Sequence, residues 1–204
     1  MFKNPLIIFE GIECTGKSTQ IKNVINHLKK KKIKFINIRE PGGSKNSEKI
    51  RGLILNKKSN FEKMTDLLLY MASRSENINK LILKNYKKKI ILIDRFIYST
   101  LAYQHYGMGV DKKVINLLNK ILLKNIKPTH IFFHKVSIVN MKKRIKNRKI
   151  NNRYDNFNET FYKKVQAGFF KSLKNKKNVT IVNSNLSISD NKNLILNKIN
   201  KLIK

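Results

Sequence analysis

The 204 residues include one cysteine, Cys14, and only twelve acidic side chains against forty-five basic ones. A single cysteine excludes an intramolecular disulfide and fits a reducing compartment. No apolar stretch approaches the roughly twenty residues that a membrane-spanning helix needs. Residues Met1-Phe2-Lys3-Asn4 run straight into the first apolar run, so neither export nor insertion is expected and the cytoplasm is the expected location. There is no internal repeat, and the length suits one domain with enough core to fold unaided.

Arginine is scarce as well. Of the forty-five basic residues seven are Arg: Arg39, Arg51, Arg74, Arg95, Arg144, Arg148 and Arg153. The net charge of +33 comes from lysines scattered over nearly every segment, as in "LKKKKIK" and "LKNKKN". Dispersed charge solvates a surface and does not make a stripe, so nucleic-acid contact is expected to be nonspecific at most. In so lysine-rich a chain an arginine marks a place that needs a planar, two-pronged donor. These seven positions are candidate phosphate contacts.

What is there begins with "LIIFEGIECTGKSTQ", residues 6–20. Gly11-Ile12-Glu13-Cys14-Thr15-Gly16-Lys17-Ser18 fits the P-loop pattern G-x-x-x-x-G-K-[ST], with a strand expected before it and a helix after it. The two glycines let consecutive N–H groups, through Thr19, point inward at an anion, and the helix N-terminus adds positive potential. Lys17 can reach the outer phosphates, and the Ser18 hydroxyl is placed to ligate Mg2+. A carboxylate in such a cradle needs a cationic or hydroxyl partner, which makes Glu13 unusual. Cys14, beside Lys17 and a helix start, has a setting that lowers a thiol pKa.

Apolar runs at Leu6–Phe9, Phe35–Ile38, Ile90–Ile93, His130–Phe133 and Val179–Val182 alternate with helical patterns. Continuous apolar runs imply strands buried on both faces, and their alternation with helices implies βαβ units and a parallel sheet. Ligands then gather beyond the carboxyl ends of the strands, at the P-loop, at "REPGGS" and at "DRFIYST". No Gly or Pro breaks residues 61–83, where Leu67, Leu68, Tyr70, Met71, Leu81 and Ile82 mark a helix with a core-facing stripe. Tyr70 and Arg74 share one side of it, either as a core tyrosine with a solvated neighbour or as a stacking ring beside a phosphate clamp. Residues 136–170 form a polar, basic segment that reads as a surface hairpin or as a lid carrying Arg144, Arg148 and Arg153.

In this order "FEGIECTGKSTQ", "REPGGS", "LYMASR", "DRFIYSTLAYQ" and "RYDNF" resemble bacterial thymidylate kinase over essentially the whole chain. The resemblance implies a P-loop NTPase-type α/β fold: a three-layer sandwich, a parallel sheet of about five strands and a helical lid over about 141–157. It implies transfer of the terminal phosphoryl of ATP to dTMP with Mg2+, in a cytoplasmic homodimer. Residue by residue, Lys17, Arg95 and Glu13 match catalytic positions, with Arg95 between donor and acceptor phosphates. Arg148 and Arg153 lie where the lid carries a transition-state arginine. Positions Ile12 to Thr15 hold no basic residue, which resembles the arrangement in which the lid supplies it. Glu40, Arg51, Tyr70, Arg74, Arg95, Ser99, Thr100, Tyr103 and Gln104 match dTMP-binding positions. Asp94 resembles a carboxylate near Mg2+, acting through water. Departures are Tyr70 where Phe is usual, His105 where Gly is usual, and Asn152-Arg153-Tyr154-Asp155 where the family reads Asp-Arg-aromatic-Glu. A kinase for deoxynucleosides or for another nucleoside monophosphate, and a nucleic-acid-binding P-loop protein, are the rival readings.

Overall fold

The computed structural model describes residues 4–148 and 152–203. Residues 149–151 of the expected lid lie outside them, as do Met1–Lys3. Five parallel strands form one sheet in the order β2-β3-β1-β4-β5: β1 (Leu6–Glu10), β2 (Phe35–Arg39), β3 (Ile90–Asp94), β4 (His130–Lys135) and β5 (Val179–Asn183). Each apolar run of the sequence is a strand, extended by one or two residues at its carboxyl end.

The central strands are apolar throughout because successive side chains enter opposite cores. Leu6 and Ile8 join Ile91, Ile93, Ile131 and Phe133 on one face. On the other face Ile7 and Phe9 join Ile90, Leu92 and Phe132 beneath α1 (Lys17–Lys30) and α9 (Ile188–Ile203), which contribute Ile21, Val24, Leu28, Ile195 and Ile199. The edge strands depart from the expectation of burial on both faces. β2 is mostly half-exposed, and Ile181 of β5 lies open to solvent, because each edge strand has only one neighbour and thinner helix cover.

The first face carries α2 (Lys45–Leu55), α3 (Lys63–Asn77), α5 (Ile97–Thr100), α6 (Lys112–Leu123), α7 (Ile138–Lys146) and α8 (Glu159–Leu173). Helix α3 runs through wider π-type turns at Ile78–Ile82 into a last turn, α4 (Leu83–Asn85), and α5 continues as π-type turns over Leu101–Gly107. Leu67, Met71 and Ile82 are buried as the helical stripe requires, but Leu68 is exposed. It sits on the outer side of α3, one position off the stripe. A 3-10 turn at Arg153–Asn156 follows α7. Because all five strands run the same way, the P-loop, the loop after β2 and the segment after β3 meet at one edge of the sheet.

Candidate active site

Strand β1 ends in a buried carboxylate. Glu10 accepts from the N–H groups of Phe96, Tyr98 and Ser99 at 3.0, 3.2 and 3.3 Å and from the Ser99 hydroxyl at 2.5 Å. It therefore satisfies donors at the start of α5, and burial raises its pKa. The next residue, Gly11, has φ 141°, and a Cβ there would run into the His134 carbonyl. Only glycine permits the P-loop to start this close to β4.

Lys17 closes the loop over itself. Its Nζ donates to the carbonyls of Gly11 and Ile12 at 3.0 and 2.8 Å and to the Thr15 hydroxyl at 3.1 Å. Burial, with Arg95 adding repulsion, pulls its pKa down to about 8. The Ser18 hydroxyl donates to Asp94 Oδ2 at 3.1 Å, while Asp94 Oδ1 is buried without a partner among the described residues. Ile12 points into the core. Cys14 is half-buried, and its burial raises the thiol pKa more than Arg148 and Lys17 lower it. The activated thiol expected from the sequence is therefore corrected: desolvation outweighs the helix terminus.

Arg95, at φ 66°, turns back from the end of β3. It donates to the Gly11 carbonyl at 2.8 Å and to Glu13 Oε1 at 3.0 Å, and its guanidinium lies 5.2 Å from the Tyr103 ring centre. Tyr103 donates its hydroxyl to Glu13 Oε2 at 2.5 Å. Glu13 thus has both the cationic and the hydroxyl partner that its position demands.

Farther along the cleft Arg74 is fully buried. Its Nε donates to Glu40 Oε2 at 2.8 Å, Nη1 to Asn119 at 2.9 Å and Nη2 to Thr100 at 2.9 Å, with Phe96 beneath it at 5.1 Å. Arg51 donates to the Pro41 carbonyl at 2.6 Å. Burial raises Glu40 despite Arg74, and Glu40 Oε1 has no partner among the described residues. The Tyr70 ring meets Tyr154 edge-on at 6.2 Å, and Tyr154 meets Tyr103 likewise at 5.7 Å. Gln104 Nε2 donates to Asp66 at 3.0 Å.

The P-loop from Glu13 onward, Glu40, Tyr70, Asp94, Tyr103 and Gln104 line one cavity of about 560 Å3. Six of the seven arginines line it (Arg39, Arg51, Arg74, Arg95, Arg144 and Arg148), and among the described residues Lys17 is the one lysine that does. The rare guanidinium is placed with purpose and the abundant ammonium is not.

A family model described as thymidylate kinase matches residues 9–195. The chain belongs to the thymidylate kinase family. A thymidylate kinase of Wolbachia pipientis wMel is 40% identical over 166 residues, which is 80% of this chain and 82% of that protein. One from Wolbachia sp. subsp. Brugia malayi (strain TRS) is 35% identical over 199 residues, 96% and 94% of the two chains. The crystal structure of thymidylate kinase from Ehrlichia chaffeensis superposes with a TM-score of 0.78 at 27% identity, covering 97% of this chain and 98% of that one.

Within this thymidylate kinase framework the two lid arginines separate. Arg148 lines the cavity, and its Nη1 donates to both Asp155 carboxylate oxygens, at 2.9 and 3.1 Å. Arg153 points away, onto Asp66, with Phe61 and Tyr154 beside its guanidinium. Asp155 also accepts from the Asn152 N–H at 2.8 Å while Asn152 accepts from the Tyr154 N–H at 2.8 Å, a capping box on the 3-10 turn. The shortened acid of this motif still reaches its partners. His105 bonds the Val110 carbonyl at 2.8 Å and packs on Tyr106.

Sequence reasoning missed Glu10, Asp66 and Asn119, and it named Arg144 only as one of seven candidate phosphate contacts. Asp66 carried a signal, since it precedes Tyr70 and Arg74 at intervals of four on α3. Arg144, one turn before Arg148, donates to the Cys14 carbonyl at 3.1 Å and the Ser184 carbonyl at 2.8 Å. It borders a second cavity of about 260 Å3 beside the P-loop, with Thr19, Gln20, Ser184 and Asn191. The contact spans 130 residues of sequence, so no local pattern announces it.

Proposed function

We propose that this chain transfers the terminal phosphoryl of ATP to dTMP, giving ADP and dTDP. The observation that carries this reading is the gathering of six arginines and Lys17 on one cavity, with the P-loop at one end and an aromatic and amide pocket at the other. Two anionic substrates must meet there, so the chemistry is positioning and charge neutralisation. The P-loop from Gly11 to Thr19 holds the ATP phosphates through backbone N–H groups and Lys17. The second cavity, under Arg144, takes the rest of the donor nucleotide. A phosphate oxygen of dTMP attacks the terminal phosphorus, and its bond to the bridging oxygen of ADP breaks. Arg95, steered by Glu13 and Tyr103, neutralises charge between the two phosphates, and Arg148 does so from the lid side.

Ser18 and the unpartnered Asp94 Oδ1 fit Mg2+, a hard cation held by few protein oxygens alongside substrate phosphates. Bound there it neutralises charge on the donor phosphates. On the acceptor side Arg51 and Glu40 border the dTMP phosphate, Tyr70 stacks on the base, Arg74 and Gln104 face its polar edge, Ser99 and Thr100 line the pocket, and Tyr103 lies against the sugar. The lid spans about 141–157 of a single domain.

The reading carries with it a cytoplasmic homodimer. Exposed Leu53, Met64, Leu68, Leu117 and Ile121 lie on α2, α3 and α6, which pack side by side, and supply an apolar face for a second copy. Among the described residues no helix is long and apolar enough to cross a membrane. The test is ADP release from ATP and Mg2+ with dTMP, dUMP, dCMP, dAMP, dGMP and thymidine. Strong turnover with dTMP, weaker turnover with dUMP and none with thymidine is expected. Turnover with thymidine moves the chain to nucleoside kinases, and silence across the panel sinks the reading.

A further inference from the structure

At the acceptor end of the cavity an amide orientation is set by a buried charge. Asp66 accepts from Arg153 Nη2 and, at 2.8 Å, from the Tyr154 hydroxyl. Both of its oxygens face donors, Oδ1 the guanidinium and Oδ2 the hydroxyl, so both act as acceptors. Gln104 lies 3.0 Å from Asp66 Oδ2, so only its amide nitrogen can face that oxygen. Its carbonyl oxygen then points the other way on a planar group. That oxygen accepts no hydrogen bond among the described residues, and Gln104 lines the cavity. Arg74 lines the same end and can only donate, its Nη2 having one N–H committed to Thr100 and another left over. The pocket therefore presents a fixed acceptor near a fixed donor.

We propose that Asp66 is a positioning residue that makes the acceptor pocket select a pyrimidine imide edge, N3–H beside C4=O, over the edge of cytosine. The proposal rests on the phosphoryl-transfer reading above and names what that site prefers. Thymine offers a donor to Gln104 and an acceptor to Arg74. Cytosine offers a bare N3 and an amino group in the same places, so both contacts set like against like. Uracil has the same edge as thymine, so Asp66 discriminates against cytosine and not against a missing methyl. An amide at position 66 would accept either end of Gln104, and the carbonyl would no longer be fixed in the cavity.

Removing the carboxylate alone would strand Arg153, so the test compares Arg153→Gln with the double variant Asp66→Asn, Arg153→Gln. The first keeps the carboxylate on Gln104, and the second removes it without leaving an unpaired charge. Calorimetric Kd values for dTMP and dCMP, and turnover with ATP, are measured for these and for the wild type. The Kd ratio should hold in Arg153→Gln and fall ~10-fold or more in the double variant, through weaker dTMP and tighter dCMP. Equal weakening of both nucleotides in the double variant overturns the proposal. So does a fall in Arg153→Gln as large as in the double variant, because selectivity then belongs to the ion pair. Loss of wild-type turnover on dTMP tests the kinase reading separately, since binding still reports the pocket. A wild type that binds neither nucleotide overturns both.

Discussion

Lys17 meets two opposed demands. An ammonium aimed at phosphate must be fixed and dry, yet fixing it in the folded loop costs stability while its partner is absent. Its folded pKa of about 8 lies below the ordinary value of 10.5. Below about 8 both folded and unfolded chains hold the proton and the penalty is present in full. As pH rises toward 10.5 the unfolded chain alone holds it, so stability rises with pH and the penalty is released. The difference corresponds to about 3 kcal/mol. Urea denaturation at pH 7 and at pH 9.5 should therefore show the wild type gaining stability relative to Lys17→Met. A constant difference between the two proteins would mean that the amine is solvated. Cys14 obeys the same desolvation. With its thiol pKa raised, carbamidomethylation at pH 7.5 should run several-fold slower than that of an unstructured cysteine peptide, and mass spectrometry of timed aliquots measures it. Faster labelling would restore the activated thiol.

The 3-10 turn at Arg153–Asn156 joins two functions within four residues. Arg153 and Tyr154 fasten it to Asp66 of α3, while Asp155 holds Arg148 toward the cavity. On the proposed mechanism Arg148→Ala should lower kcat ~10³-fold, in line with arginines that meet the transferred phosphoryl, with little change in KM for dTMP. Arg153→Ala should instead lower the melting temperature and leave most of kcat, and Asp155→Asn should fall between them. Steady-state kinetics on the three variants decides, and equal kcat losses for Arg148 and Arg153 would contradict the separation. The sequence made the arginines visible, but it could not rank them. Their ranking depends on Asp66 and Asp155, partners 87 and 7 residues away whose side chains fold onto the lid from different directions. The strands were legible because burial on both faces writes an unbroken apolar run. The π-type turns at Ile78–Ile82 and Leu101–Gly107 were not, since five to seven residues of altered pitch leave the 3.6-residue pattern almost unchanged.

A molecule with a net charge of +33 repels itself, and this sets how it associates. The arginines are drawn into the cleft, so the outer charge is mostly lysine on dispersed surface. Retention on DNA should accordingly weaken steeply with salt and show no sequence preference. Self-association has the opposite dependence. The exposed leucines and isoleucines of α2, α3 and α6 gain by burial whatever the salt, whereas lysine repulsion between two copies is screened once the Debye length falls to ~10 Å near 0.1 M salt. Sedimentation equilibrium should therefore find a species of twice 23.9 kDa whose dissociation constant tightens between 50 and 300 mM salt, used here as roughly a low and a high screening condition. Replacing Leu117 and Ile121 together by Glu adds buried charge to the apolar face and should leave a folded monomer at every salt concentration. A dimer that survives both replacements would place the interface on another face. A dimer that loosens with salt would mean that ion pairs, and not these apolar side chains, hold the two copies together.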